Sequence, residues 1–216
     1  MIITISRQYG AGGSEVARRV AATLDWGLVD NDVVDKVAER AGMSPEEVAR
    51  HDERAPGFIE RLARTLATSA PDVITTQETP MPGRTEEKLV RLTESVVAEI
   101  AEQERMVFVG RAAPAVLGRR AGTLHVKLVA PKPWRISVSA RRLGVDLKAA
   151  EKTLDDADDN RRRYHKQYYS RDWDDPVNYD MVLNTETLGY DEVVEVIVGR
   201  AKWRWPAEGK ERRGNS

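Results

Sequence analysis

Runs of β-branched and aliphatic residues alternate along this chain with segments in which apolar positions return every three or four residues. Ile2, Ile3, Thr4 and Ile5 are β-branched throughout and predict a buried strand. From Ser14 onward Val16, Ala17, Val20, Ala21 and Leu24 fall at helical spacing, and Gly10-Ala11-Gly12-Gly13 lies between the two patterns. Leu28-Val29 predicts a short strand. Val33, Val34, Val37 and Ala38 predict a helix that Asn31 or Asp32 caps and Gly42 closes. Ser44-Pro45-Glu46-Glu47 reads as a capping box with proline at the first helical position. Phe58, Ile59, Leu62, Ala63 and Leu66 form a further helical stripe within 56–70. Residues 71–84 carry Pro71, Pro80, Pro82 and Gly83 and predict a loop, long enough in a compact domain to be functional or mobile.

The second half repeats the alternation. A helix over 85–103 buries Leu89, Leu92, Val96, Val97 and Ile100. Met106-Val107-Phe108-Val109 is apolar without alternation, which suits a parallel sheet covered on both faces. A short helix over 112–117, a strand over 123–129 and a helix over 132–143 follow, the last closed by Gly144. The spacing predicts a long helix over 146–169, with Leu147, Ala150, Leu154, Ala157, Tyr164 and Tyr168 on one stripe. Arg161 completes that stripe. A permanent charge in an apolar seam is costly unless paired, and Asp158, three residues earlier, reaches the same neighbourhood. A strand over 180–184 and a helix over 191–203 close the pattern, and 206–216 predicts a disordered polar tail. Strands alternating with helices, without internal repeats, predict an α/β fold: a three-layer parallel sheet of about five strands.

The order strand, glycine turn, helix aims the free amides of a helix N-terminus at one point, where an anion belongs. Laid on the phosphate-loop pattern G-x-x-x-x-G-K-[ST], the first glycine falls on Arg7, the second on Gly12, the lysine on Gly13 and the hydroxyl residue on Ser14. The glycines allow a backbone nest for phosphate. The lysine is missing, and Arg7 is the cation placed to replace it. Ligands of parallel sheets sit beyond the carboxyl ends of the strands, which singles out Ser6, Arg7, Asp30 and Arg111. Residues 132–171 carry eleven Lys and Arg against six Asp and Glu, an excess suited to clamping phosphates.

Bulk properties narrow the classes. At 216 residues the chain holds one sizeable core with room for a mobile subdomain. A net charge of −1 gives no global bias toward a nucleic-acid polymer or an acidic membrane. With no cysteine there are no disulfides, thiolate metal sites or cysteine nucleophiles. No apolar run approaches the ~20 residues of a membrane helix, and no leader precedes the first strand, so the cytoplasm is the expected location. His51, His125 and His165 lack metal-site spacing, and the five tryptophans read as packing residues.

Four segments carry a specific resemblance: Arg7 to Gly13, VFVGR at 107–111, D-x-x-R at 158–161 with Tyr164 after it, and W-x-D-P-x-x-Y-D-x-x-L-N at 173–184. Over roughly residues 1–200 they resemble the cytidylate-kinase-like family, a branch of the cytidylate kinases among the P-loop nucleoside monophosphate kinases. That resemblance implies one P-loop kinase-like domain over 1–205, with an acceptor-binding helical insertion at about 31–105 and a helical lid at about 132–171. It implies ATP and Mg²⁺ as cofactors. Gly10, Ala11, Gly12, Gly13 and Ser14 would hold the donor phosphates, with Ser14 also on the metal. Asp30 would stand near metal and acceptor phosphate, and Arg111 would contact the acceptor nucleotide. Arg135, at the lid base, would reach the phosphates. Asp158 would read the acceptor ribose, and Arg161 would hold its phosphate. Arg141, Arg142 and Arg162 are weaker correspondences. The chain departs from the pattern at Gly13, where better-known members have lysine, and at Asp32, where they have glycine. The implied activity is ATP-dependent phosphoryl transfer to a nucleoside monophosphate, CMP or dCMP first, with Arg7, Asp30, Arg135 and Arg161 as the catalytic set. The alternatives are a nucleotide-binding regulator with little turnover and a kinase for another small hydroxyl compound. Expected partners are nucleotide substrates, with no nucleic-acid polymer and no membrane, and the assembly is a monomer or homodimer.

Overall fold

The computed structural model describes residues 1–30, 32–42 and 82–206. The helices expected within 44–70, most of the loop expected at 71–84 and the tail from 207 lie outside the described residues. Five strands form one parallel sheet in the order β2-β3-β1-β4-β5. They are β1 (Ile2–Arg7), β2 (Gly27–Val29), β3 (Met106–Val109), β4 (Thr123–Val129) and β5 (Met181–Asn184). Among the described residues seven α-helices accompany them: α1 (Gly13–Leu24), α2 (Asp32–Ala41), α3 (Pro82–Ala101), α4 (Ala113–Leu117), α5 (Lys132–Leu143), α6 (Leu147–Tyr169) and α7 (Thr185–Arg204).

Central β1 is buried at every position. It pairs with β3 (Ile3 opposite Val107) and with β4 (Ile3 opposite Leu124). Side chains alternate between the two faces. Ile3, Ile5, Val107, Val109, Leu124, Val126 and Leu128 pack on one face under α1 and α7. Ile2, Val29 and Phe108 pack on the other under α2, α3 and α4. Covering both faces is why these strands read as unbroken apolar runs. The second face of β4 is different, because it carries Thr123, His125 and Lys127, all buried.

His125 is satisfied as a neutral ring. Its Nε2–H donates to the Gly118 carbonyl (2.5 Å), and Nδ1 accepts from the Thr4 hydroxyl (2.7 Å). Burial pushes its pKa below the ordinary histidine value.

Several boundaries differ from the pattern-based expectation for local reasons. Helix α3 starts at Pro82 rather than at 85, since proline is tolerated in a first turn. The last helix begins at Thr185 and not at 191. Asn184 caps it, and Gly189 (φ 71°, ψ 164°) then breaks it before Tyr190. The buried stripe of α6 is also rotated from the expected one. Leu147 is 60% exposed and Tyr164 and Tyr168 are half-buried, while Asp158 and His165 turn inward beside Ala150, Leu154, Ala157 and the expected Arg161. The tryptophans divide, with Trp173 buried and Trp203 exposed. Among the described residues no helix is long and apolar enough to cross a membrane.

Candidate active site

In this strand order the chain leaves β1 toward β2 on one side and leaves β4 toward β5 on the other. The crevice beyond the carboxyl ends of β1 and β4 is therefore the topological switch point, where such sheets bind ligands. A cleft of about 460 Å³ lies there, and Arg7, Gly10, Gly12, Gly13, Ser14 and Arg161 contribute to its walls.

The loop after β1 is shaped by three glycines without room for a side chain. Gly10 (φ 81°) lies against α5: a Cβ there would sit 2.7 Å from Ser139 Oγ and 2.9 Å from the Arg135 carbonyl. Gly12 (φ 79°) lies against Tyr190, whose hydroxyl would be 2.6 Å from a Cβ. At Gly13 a Cβ would fall 2.8 Å from Arg7 Cδ and 2.9 Å from Arg7 Cβ, with Cγ closer still. The stem of Arg7 thus fills the space where a residue-13 side chain would begin. Ala11 is fully buried beneath the loop. No side chain caps α1, so its first-turn amides face the cleft without an intrahelical partner. Opposite-sign charge is favoured at such a terminus by the helix dipole.

Behind the loop lies a buried charge junction. Asp158 Oδ1 accepts from Arg161 Nη1 (2.8 Å) and from the Tyr9 amide (2.8 Å), and Oδ2 accepts from Arg135 Nη1 (2.7 Å). Arg135 also donates to the Ala130 and Tyr9 carbonyls at 2.9 and 3.0 Å. All three side chains are buried. The pairing expected of Arg161 with Asp158 is present. Tyr9 ties this junction to the mouth of the cleft, since its hydroxyl accepts from Arg142 Nη2 at 3.0 Å.

The sequence-derived residues fall into three places. Arg7, Arg161 and the loop from Gly10 to Ser14 share the cleft or its floor. Arg135 and Asp158 stand behind the loop and hold it. Asp30 and Arg111 stand together at the ends of β2 and β3, where Arg111 Nε donates to the Asp30 carbonyl at 3.2 Å. Arg111 is buried in a left-handed turn, with φ of 70°, 59° and 50° at Gly110, Arg111 and Ala112. A non-glycine residue in that region stores about 1 kcal/mol or more, and such strain collects at functional turns.

The cleft also includes Gln8, Tyr9, Glu15, Val138, Arg142 and Tyr190, which sequence reasoning left aside or ranked low. Arg142 had a weak signal in the basic excess of 132–171. Tyr190 had none: the Gly189 break sets it against Gly12, and burial pushes its phenol pKa up.

Comparison with known proteins agrees with this architecture. The chain is 27% identical over 205 residues to the cytidylate kinase of Archaeoglobus fulgidus, covering 92% of this chain and 93% of that one. It is 27% identical over 203 residues to the cytidylate kinase of Methanopyrus kandleri, covering 91% of each. Among solved structures, an uncharacterized protein from Eubacterium ventriosum superposes with a TM-score of 0.67 at 20% identity, over 94% of this chain and 98% of that one. TT1252 from Thermus thermophilus superposes with a TM-score of 0.55 at 19% identity, over 96% and 98%. The profile of the cytidylate kinase-like family matches residues 2–187, and the chain belongs to that family.

Proposed function

We propose that this protein transfers the terminal phosphoryl group of ATP to a nucleoside monophosphate, with CMP or dCMP the first acceptor to test. The observation that carries the reading is the exchange of volume between positions 7 and 13. The loop has no lysine, yet a guanidinium-bearing side chain from the first loop position crosses Gly13 and enters the same cleft. The cation expected of such a loop is then supplied from the end of β1. Two cytidylate kinases align over more than nine-tenths of the chain, which supports the acceptor class.

The residues present fit a polyphosphate. Gly10, Gly12 and Gly13 bring backbone against the cleft where no Cβ fits, and the open N-terminus of α1 lies beside them. Mg²⁺ needs only one or two side chains besides phosphate oxygens and water; Ser14 would hold it directly and Asp30 through water. A metal held there would supply positive charge against the phosphate oxygens. Phosphoryl transfer asks the protein for alignment and for cancellation of spreading negative charge rather than for covalent chemistry. Arg7 and Arg161 would supply planar, two-point donors inside the cleft. Arg135 and Asp158 would set the angle of Arg161 and the path of Tyr9. Arg111 with Asp30 would serve the acceptor side. Asp158 would have to exchange one of its present bonds to meet a ribose. The hairpin of α5 and α6, with Arg142 at its inner edge, would exclude water as it closes.

The test is ADP release coupled to a panel of nucleoside monophosphates and small hydroxyl compounds, with ATP and Mg²⁺. Turnover highest with CMP or dCMP is the expected result. Thermal stabilisation by ATP with no ADP release for any acceptor would replace this reading with that of a nucleotide-binding regulator.

A further inference from the structure

Lys127 lies outside the cleft, and neither the resemblance nor the comparisons give it a role. It is buried to 2% exposure on the second face of β4, in register with Ser6 of β1. Its ammonium donates to the Trp173 carbonyl (2.6 Å) and to Asp174 Oδ1 (2.7 Å), and it stands 3.9 Å from the centroid of the Trp173 ring. Burial pushes its pKa below the ordinary lysine value while Asp174 pulls it back up.

The fold does not need this charge to satisfy its partners. The Trp173 carbonyl also accepts from the Tyr179 hydroxyl at 2.8 Å. Asp174 also accepts from Arg162 Nε at 2.7 Å, and its side chain is 38% exposed, so water can complete it. Removing the ammonium therefore strands no buried polar group. Removing one partner of an ion pair is costly where the other charge is left buried and alone; Asp174 keeps Arg162 and solvent, so that penalty is small here. What the ammonium does is grip one residue at two points, carbonyl and ring face. The Trp173 indole N–H is held separately by Ser6 Oγ at 3.0 Å, directly before Arg7 on β1. Trp173 is thus keyed to both strands that flank the switch point. Its ring in turn lies beside Arg161, whose guanidinium carbon is 5.9 Å from the ring centroid. Arg161 is held by Asp158 at one nitrogen and flanked by the indole, and it reaches the cleft from there.

We infer that Lys127 is a positioning residue: by locking Trp173 between β1 and β4 it fixes the guanidinium of Arg161 at the angle that meets a phosphate. The catalytic consequence rests on the function proposed above; the positional one does not.

The test compares K127M with the unaltered protein by three readouts. Thermal melting should move by only a few degrees. The Arg161 Nε–Hε signal, followed by nitrogen relaxation in the ligand-free protein, should change from ordered to mobile. The KM for the monophosphate acceptor should rise about tenfold with little change in the KM for ATP. K127Q, which keeps a donor for the Trp173 carbonyl but removes the cation over its ring, should loosen the same signal and serves if K127M folds poorly. Unchanged Arg161 order in the variant that folds overturns the inference. So does a melting temperature that falls in step with all activity, which marks a merely structural lysine. Loss of Arg161 order in a protein that transfers no phosphate to any acceptor upholds the inference and defeats the kinase reading instead.

Discussion

Adding one methyl group at position 13 tests the central claim about the loop. Glycine-to-alanine in a helix is worth about 1 kcal/mol in favour of alanine, and Gly13 opens α1. Here the new Cβ would lie 2.8 Å from Arg7 Cδ and 2.9 Å from Arg7 Cβ, so the arginine stem has to leave its present rotamer. Arg7 is 7% exposed, which leaves little room for that movement. Overpacking of this kind costs about 1–3 kcal/mol. The net expectation for G13A is a stability loss of roughly 0–2 kcal/mol, a shift of a few degrees in melting temperature at this chain length. Activity should fall far more. Displacing one aligned donor from the site of developing charge costs about 10²–10³ in kcat. R7A should lose a similar factor, and G13A/R7A should be no worse than R7A alone, because the methyl group acts only through Arg7. The same reasoning covers restoration of the lysine. G13K alone should be nearly inactive, since its stem begins inside Arg7. R7G/G13K, which moves glycine and cation to their usual places in the loop pattern, should recover at least tenfold over G13K. Coupled ADP release and thermal melting measure all of these. Wild-type kcat in folded G13A, or additive losses in G13A/R7A, would refute the reasoning.

Three further outcomes follow from the site and the core. R161A should raise the KM for the acceptor monophosphate by about tenfold or more, because a charged two-point contact to phosphate is lost, and it should cost less stability than D158A, because Asp158 keeps Arg135 and the Tyr9 amide; equal effects on ATP and acceptor would move Arg161 out of the acceptor side. D158A leaves Arg135 and Arg161 buried with their shared carboxylate gone. Breaking a buried pair in this way costs about 3–5 kcal/mol, so a melting temperature lower by on the order of 10 °C is expected; a smaller drop than for an exposed pair such as Arg120 with Glu102 would count against the junction. His125 gives a pH dependence. Its folded pKa lies below the free value of 6.5 because burial disfavours the imidazolium. The unfolded chain therefore binds the proton first on acidification, and stability present above pH 6.5 falls as pH drops from there through the folded value. Urea midpoints between pH 7.5 and 5.5 should show this slope, and H125Q should flatten it.

Local patterning accounts for the sheet strands, the glycine turn and the long helices, because β-branched runs, helical spacing and glycine act through neighbours in the chain. Even the Arg161–Asp158 pair was legible, since three residues along a helix are adjacent in space. The rotated stripe of α6 was not: Asp158 turns inward because Arg135 and the Tyr9 amide, far off in sequence, are there to meet it.

The chain alone determined that a strand, a cradle for an anion and a helix follow one another at residues 1–24, and that a lysine is absent from the cradle. It also offered Arg7 as the cation to replace that lysine, but only the tertiary structure decided that the Arg7 stem fills the volume over Gly13. A missing side chain is a local fact, but the volume it vacates is claimed by whichever residue packs there. That residue is Arg7, brought back over Gly13 by the turn of the loop, with Tyr190, Arg142 and Trp173 drawn in from the far end of the sequence. No spacing rule links those positions, because they meet through the order of strands in the sheet.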